Sequence, residues 1–364
     1  MIESFTIFSG VVALLSLVKE INHKLILFWL IILPMALLDG LRWEMGTDWI
    51  GYYDYFIGDI PSFRKIYDPG FVLFTDFIKF FTDNYSVYLL SISLITYVGI
   101  FYGVFLITGK NFLAIFYLVG TLPWYAHSLR QMIACAFFVW ALKAIMDREP
   151  IKYIVFMIIG ISFHVTLMVL VLSYLFFGIS TISYIMLFAA ILIGVPFIVN
   201  AVEIMEYIMQ LYGFNKKISV YIIERGSSVP GTDPILGFTR KILTISGLFV
   251  FSIIAGSSNQ ADYYKWQKIK FFLALSSLSI VFYYIGTYQI IHVASRVDLY
   301  VSLIATSILI GLIDSSISIK TNRFVFYLFV LSLVGLFYYK LLWMDLFHPY
   351  SSIFYNYDLH RTLH

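Results

Sequence analysis

The sequence is short of charge. Of its 364 residues only 12% are Asp, Glu, Lys or Arg, while 61% are hydrophobic, and the mean hydropathy is +0.88. A soluble domain carries roughly 25% charged residues, so a globule in water is excluded and an integral membrane protein is implied. Cys135 is the lone cysteine, which excludes an intrachain disulfide and a multi-cysteine metal site. The net charge of +3 is spread over loops and gives no footprint for nucleic acid. Walker A, HExxH and GxSxG motifs are missing, as is the D-x-D pair of metal-dependent nucleotide-sugar sites. Internal repeats, low-complexity tracts and a soluble domain are missing too.

What is present is one apolar run after another, near residues 4–18, 25–39, 85–107, 112–125, 131–146, 151–172, 180–199, 242–256, 271–289, 299–313 and 324–343. These runs are long rather than alternating, so the spans are helices and not barrel strands. The N-terminal MIESFTIFSGVVALLSLVKE has no basic stretch ahead of its apolar run and reads as a first span, not a cleaved signal. The run at 71–82 is interrupted by Asp76 and Lys79 and reads as a half-span or an interfacial helix. The expected fold class is all-α: a polytopic transmembrane helical protein of ten to twelve spans, forming a single integral membrane domain over 1–364.

Basic residues set the orientation. Lys19 with Lys24, Lys143 with Arg148 and Lys152, Lys265 with Lys268 and Lys270, and Lys320 with Arg323 mark cytoplasmic turns. The loops at about 40–70 and 200–240 and the tail at 344–364 then lie on the other side, the periplasm of a bacterial inner membrane. Five clear runs separate the two loops, an odd number, so either 71–82 spans or one run is broken or re-entrant. Within the second loop, AVEIMEYIMQLYGFNKKISVYIIE has the look of an amphipathic helix lying on the membrane surface.

The loop LRWEMGTDWIGYYDYF, residues 41–56, concentrates polar and aromatic chemistry. Gly46-Thr47 can open a helix, with Thr47 or Asp48 as its cap. Asp48, Tyr52 and Tyr55 then share one face, and Trp49, Tyr53 and Phe56 share another suited to the membrane interface. Arg42, at a span end, offers a planar fork of donors for a phosphate; the plainer alternative is a snorkelling side chain. Arg130 and Arg296 also stand at outer span ends, and three convergent cations would suit a diphosphate. His164, inside an apolar run, is either a functional intramembrane group or a neutral imidazole hydrogen-bonded between helices. Arg296 has Asp298 and Tyr300 nearby, and a local Arg–Asp pair is its plainer reading.

The order of LRWEMGTDWIGYYDYF, DPGFVLFTDFI, LRQMIACAFFVWAL, ISFHVTLMVL, SRVDLY and the tail's HPYSSIF resembles the EpsG-type family of bacterial polysaccharide polymerases, related in role to the Wzy O-antigen polymerases. The resemblance implies transfer of a growing glycan from one undecaprenyl diphosphate to a fresh lipid-linked repeat unit, with undecaprenyl diphosphate leaving and no nucleotide sugar consumed. The expected roles follow: Arg42, Arg130 and Arg296 bind diphosphate, Asp48 or else His164 acts as base, and Tyr52, Tyr55 and Tyr300 contact sugar. No cofactor or metal is expected. The expected partners are undecaprenyl-diphosphate-linked oligosaccharides, membrane lipids, a chain-length regulator and a flippase. A flippase or transporter of lipid-linked saccharide, a glycan ligase and a membrane acyltransferase are the competing readings. A transporter would show matched halves with broken spans, and a ligase would transfer one finished chain rather than build a ladder.

Overall fold

The computed structural model describes residues 2–18, 23–43, 48–58, 64, 67–122, 128–177, 234–258, 263–288 and 292–342. Every regular element among them is helical. Five helices are long and apolar enough to cross a membrane: Tyr85–Ile107, Leu129–Met146, Gly237–Gly256, Tyr263–Gly286 and Ala294–Asp314. Shorter apolar helices cover Ile7–Leu17, Phe112–Thr121, Pro150–Phe163 and Val165–Phe176. The protein is an all-α polytopic membrane protein. The runs at 180–199, most of the 200–240 loop with its expected surface helix, and the 344–364 tail lie outside the described residues.

Contacts group the chain into two compact units, Met1–Met168 with Tyr327–His364, and Val169–Phe326. In the first, α1 (Ile2–Leu17) and α2 (Lys24–Gly40) are followed by the short α3 (Trp49–Gly58) and α4 (Pro69–Phe81). Next comes a continuous helix, α5, that runs Tyr85–Tyr97, takes a π turn over Val98–Tyr102 and ends with Gly103–Ile107. Then come α6 (Phe112–Thr121), α7 (Leu129–Met146) and α8 (Pro150–Phe163). The starts follow ordinary capping rules. Asn84 accepts from the Ser86 N–H at 2.9 Å, and Asn111 accepts from Leu113 and Ala114 N–H at 2.9 and 3.1 Å. Every residue of α6 is buried, so it is the interior helix of this unit.

Close contacts fix the directions of these helices. A Cβ on Gly99 would fall 2.6 Å from Ala136, and Gly103 faces Val139, so α5 and α7 run parallel. Ser93 Oγ donates to Ala36 O at 2.7 Å and Gly40 abuts Leu90, so α2 is antiparallel to α5. Phe137 stacks on Phe163 and Trp140 lies against Phe156, so α8 is antiparallel to α7. The end of α2, the starts of α5 and α7 and the end of α8 therefore share one end of the bundle.

They do not reach the same height. The pairing of Gly99 with Ala136 puts Arg130 level with Ser93, and Ser93 stands about 12 Å down α5 from Tyr85 at the usual rise per residue. Asp68, just before α4, pairs with Arg130, while the other end of α4 joins Tyr85 through three residues. The helix therefore starts deep and climbs back to the end from which the chain came. At about 20 Å it is too short to cross a hydrocarbon core of ~30 Å. The run at 71–82 is thus too short for a full span, and its helix returns toward the end of the bundle where α5 starts. The run at 151–172 is broken at His164, whose extended backbone ends α8.

In the second unit, α9 (Ser173–Phe176) precedes α10 (Pro234–Ser258), α11 (Tyr263–Tyr288) and α12, the last running His292–Leu299, a π turn Tyr300–Ala305 and Thr306–Asp314. From Val297 to Asp314 every residue is buried. Lys241 of α10 donates to both carboxylate oxygens of Asp298 on α12, each at 2.8 Å. The final helix, α13 (Lys320–Leu342), begins with Arg323 in a two-point pair with Asp314 at 2.7 and 2.9 Å.

Candidate functional site

Asp48 directly precedes α3, and its carbonyl accepts the Tyr52 N–H at 3.2 Å. One turn on, Tyr52 and Tyr55 point the same way and are buried, as their spacing predicts. What they meet is protein. The Tyr52 ring stacks on Tyr67 with centroids 5.8 Å apart, and Tyr55 meets Tyr67 edge-on at 4.6 Å. The face carrying Trp49, Tyr53 and Phe56 corrects the sequence reading. It does not rest on the membrane interface but packs on α5, where Trp49 and Tyr53 meet Tyr85 edge-on at 5.4 and 5.1 Å and Phe56 stacks on Tyr88 at 4.6 Å. These rings form one aromatic cluster with Phe71 and Tyr88 because α3 lies across the starts of α4 and α5.

Tyr67 is the hinge of this arrangement. Its hydroxyl donates to Gly51 O at 3.3 Å, and its ring lies 4.7 Å under the guanidinium of Arg130, a cation–π contact. Burial pushes the Tyr67 phenol well above its ordinary value; Tyr52, Asp48 and Tyr55 add to that, and Arg130 opposes it. Tyr67 thus feels Asp48, Tyr52, Tyr55 and Arg130 together. Arg64, exposed, is ion-paired with Asp76.

Arg130 Nη1 donates to Asp68 Oδ2 at 2.8 Å, with both side chains 15% exposed, so the pair is recessed yet open to small groups. Asp68 stands where a helix cap would, ahead of Pro69-Gly70, but makes no cap hydrogen bond. It accepts instead from Arg130. Burial raises the Asp68 carboxyl above the ordinary aspartate value, and Arg130, helped by the backbone amides of Val165 and of Asp68 itself, pulls against that. His164 is buried at the break, its Nδ1 2.6 Å from Thr166 Oγ1. This contact is to the following turn.

Arg42 is buried beside the site, ion-paired with Asp39 and donating to the Asp39 carbonyl at 3.3 Å. Its charge is felt by the Tyr85 phenol, together with Tyr52, Tyr53 and Tyr67. Asp39 also lines a small cavity with Ser93, Thr96, Tyr97, Leu129 and Met132. Six of the eight residues singled out from sequence, Arg42, Asp48, Tyr52, Tyr55, Arg130 and His164, lie in the first unit, and Arg296 and Tyr300 in the second. Arg296 is exposed and Tyr300 buried. The carboxylate beside them, Asp298, is the partner of Lys241 from another helix.

Sequence reasoning missed Tyr67, Asp68 and Asp39. The signal for Asp68 was present in DPGFVLFTDFI, since an aspartate ahead of Pro-Gly at a helix start reads as a cap, and only tertiary structure reveals that its carboxylate is used elsewhere. Among the described residues no three His, Cys, Asp or Glu side chains come together as a metal site would require.

The sequence profile of the EpsG family matches residues 25–356. No curated protein and no solved structure matches the chain.

Proposed function

This chain belongs to the EpsG family of Wzy-like polymerases, and we propose on that premise that it joins oligosaccharide repeat units carried on undecaprenyl diphosphate, releasing undecaprenyl diphosphate at each transfer. The observation that carries the reading is the recess around Arg130. A guanidinium held over an aromatic ring and ion-paired with a partly exposed carboxylate is built to accept an anion's oxygens. As the glycosidic bond breaks, negative charge grows on the leaving diphosphate, and fixed donors stabilise it. Arg130 is the first such donor, and Arg42 and Arg296 remain the further candidates named from sequence. Tyr52, Tyr55 and Tyr300 are assigned to the sugars. The acceptor hydroxyl needs a base within hydrogen-bond reach; Asp48 and His164 are the candidates chosen from sequence.

The site faces the periplasm of the inner membrane in this proposal. Lys24, Lys110, Lys143, Arg148 and Lys152 stand at the end of the helices away from Arg130, and an excess of Lys and Arg marks the cytoplasmic side. The deciding experiment uses purified full-length protein with one synthetic lipid-linked repeat unit and no other enzyme. A ladder of glycan lengths is the expected product. Movement of the lipid without chain growth would make it a flippase, and transfer of one finished chain a ligase. If Arg42→Ala, Asp48→Ala and Arg130→Ala all polymerise normally at equal protein level, this site is wrong.

A further inference from the structure

We propose that Asp68, rather than Asp48 or His164, is the base that takes the acceptor proton, and that Arg130 keeps it in reserve until a lipid diphosphate arrives. The inference rests on the polymerase reading above. Three observations point to it. The Asp68 carboxylate is the group that Arg130 already holds, 2.8 Å away, so a phosphate on Arg130 brings the reacting sugar carbon within a few bonds of this carboxylate. The backbone amide of Val165, at the break in α8, also favours the charged carboxylate and continues to do so when Arg130 turns away. Asp68 is 15% exposed on the side chain, enough for a hydroxyl to reach, whereas Asp39 is buried against Arg42 and His164 is engaged by Thr166. Asp48 sits just before α3 and acts on Tyr67, the ring under Arg130, rather than pairing with Arg130 itself.

A diphosphate carries more charge and more acceptor oxygens than a carboxylate, so it displaces Asp68 from the guanidinium. Arg130 is the main attraction that opposes the burial of the Asp68 charge. Once Arg130 turns to phosphate, Asp68 becomes more basic at the moment the donor is in place. The acceptor hydroxyl then gives its proton to Asp68, its oxygen forms the new bond to the donor's anomeric carbon, and the carbon–oxygen bond to phosphate breaks. The electron pair leaves with undecaprenyl diphosphate, and the proton on Asp68 returns to solvent.

The test uses full-length protein in lipid nanodiscs, a synthetic lipid-linked repeat unit for turnover and undecaprenyl diphosphate for equilibrium binding. D68N is expected to lower kcat by about 100-fold or more, in the range for a lost general base, while undecaprenyl diphosphate binds as tightly as before or tighter, because its competitor for Arg130 is neutral. A residue that merely anchors Arg130 would give the opposite sign, weaker product binding. That result, or a kcat within about threefold of wild type, would overturn the proposal. Should D68N melt early, D68E carries the test: it keeps the charge, displaces it by one methylene, and must lose turnover at unchanged product binding. A wild type that builds no ladder sinks the polymerase reading and this role with it; a wild-type ladder with D68N unaffected sinks the role of Asp68 alone.

Discussion

Gly70 and Ser162 meet with no space for a side chain between them: a Cβ on Gly70 would lie 2.8 Å from the backbone carbonyl carbon of Ser162. The start of α4 is thereby seated on the end of α8, two residues from Asp68. Gly70→Ala forces backbone apart, not just a flexible side-chain tip, and is expected to cost about 1–3 kcal/mol as overpacking does. It should also spread the Asp68–Arg130 pair. Thermal unfolding in detergent and the glycan ladder check both effects, and a variant with wild-type melting and wild-type ladder would show that the contact is slack.

The Lys241–Asp298 pair should behave as a buried charge pair in an apolar surrounding. Removing one partner leaves the other uncompensated, so Lys241→Met or Asp298→Leu alone is expected to cost about 3–5 kcal/mol. The double variant should recover most of that. A double-mutant cycle on melting temperature measures it, and additive losses would mean the two groups do not depend on each other.

Tyr67 offers a separation of hydroxyl from ring. Burial raises its phenol, so the hydroxyl stays protonated across the physiological range and remains a donor to Gly51. Tyr67→Phe keeps the ring beneath Arg130 and should cost about 0.5–1.5 kcal/mol for one hydrogen bond. Tyr67→Leu also removes the cation–π contact and the stack under Tyr52, and should lower polymerisation more than Tyr67→Phe does. Equal activity in the two variants would deny the ring any role.

The pH profile of turnover follows from the raised Asp68 carboxyl. A base works only when ionised, and burial raises the proton affinity of this one, so the rate should fall on acidification at a pH above the ordinary aspartate range. The groups facing it are Arg130 from α7, the Val165 N–H after α8 and the neighbouring Tyr67, which in turn feels Asp48, Tyr52 and Tyr55. Arginine and the raised tyrosine hold their protons throughout that window. His164 adjoins Val165, so the acidic limb is expected to persist in His164→Gln; its disappearance there would assign the limb to histidine.

Orientation can be read with thiols. Cys135 is buried and should stay silent to a membrane-impermeant reagent. Asp54→Cys, exposed on α3, should label from the periplasm in intact cells, and Lys152→Cys only after permeabilisation. The reverse pattern would turn the site to the cytoplasm.

The helical membrane fold was legible in composition and run length, because the need to satisfy the backbone in lipid leaves few alternatives. The face shared by Tyr52 and Tyr55 was legible too, since helical spacing alone sets it. What covers that face was not. Tyr67 and Asp68 lie more than ten residues away, and nothing in their local pattern says that they close on Tyr52 and Arg130. The interface reading of Trp49, Tyr53 and Phe56 failed for a related reason: an aromatic stripe suits a headgroup layer and an aromatic neighbour equally well, and here Tyr85 and Tyr88 are the neighbours. The half-span at 71–82 was recognised as short, but its return to the same end of the bundle depends on the Asp68–Arg130 pair. A break inside one run was the other reading, and it is found at His164, where α8 ends within 151–172.

The π turn at Val98–Tyr102 separates two α-helical stretches of α5. Beyond it, Gly103 packs against Val139; before it, Tyr88 meets Thr75 at 3.0 Å and Ser93 meets Ala36. One residue corresponds to about 100° of helical rotation, so deleting a single residue there would leave a more regular helix with its upper half turned away from both partners. The irregular turn acts as a rotary offset between the stretch that carries Tyr88 and Ser93 and the stretch that carries Gly103.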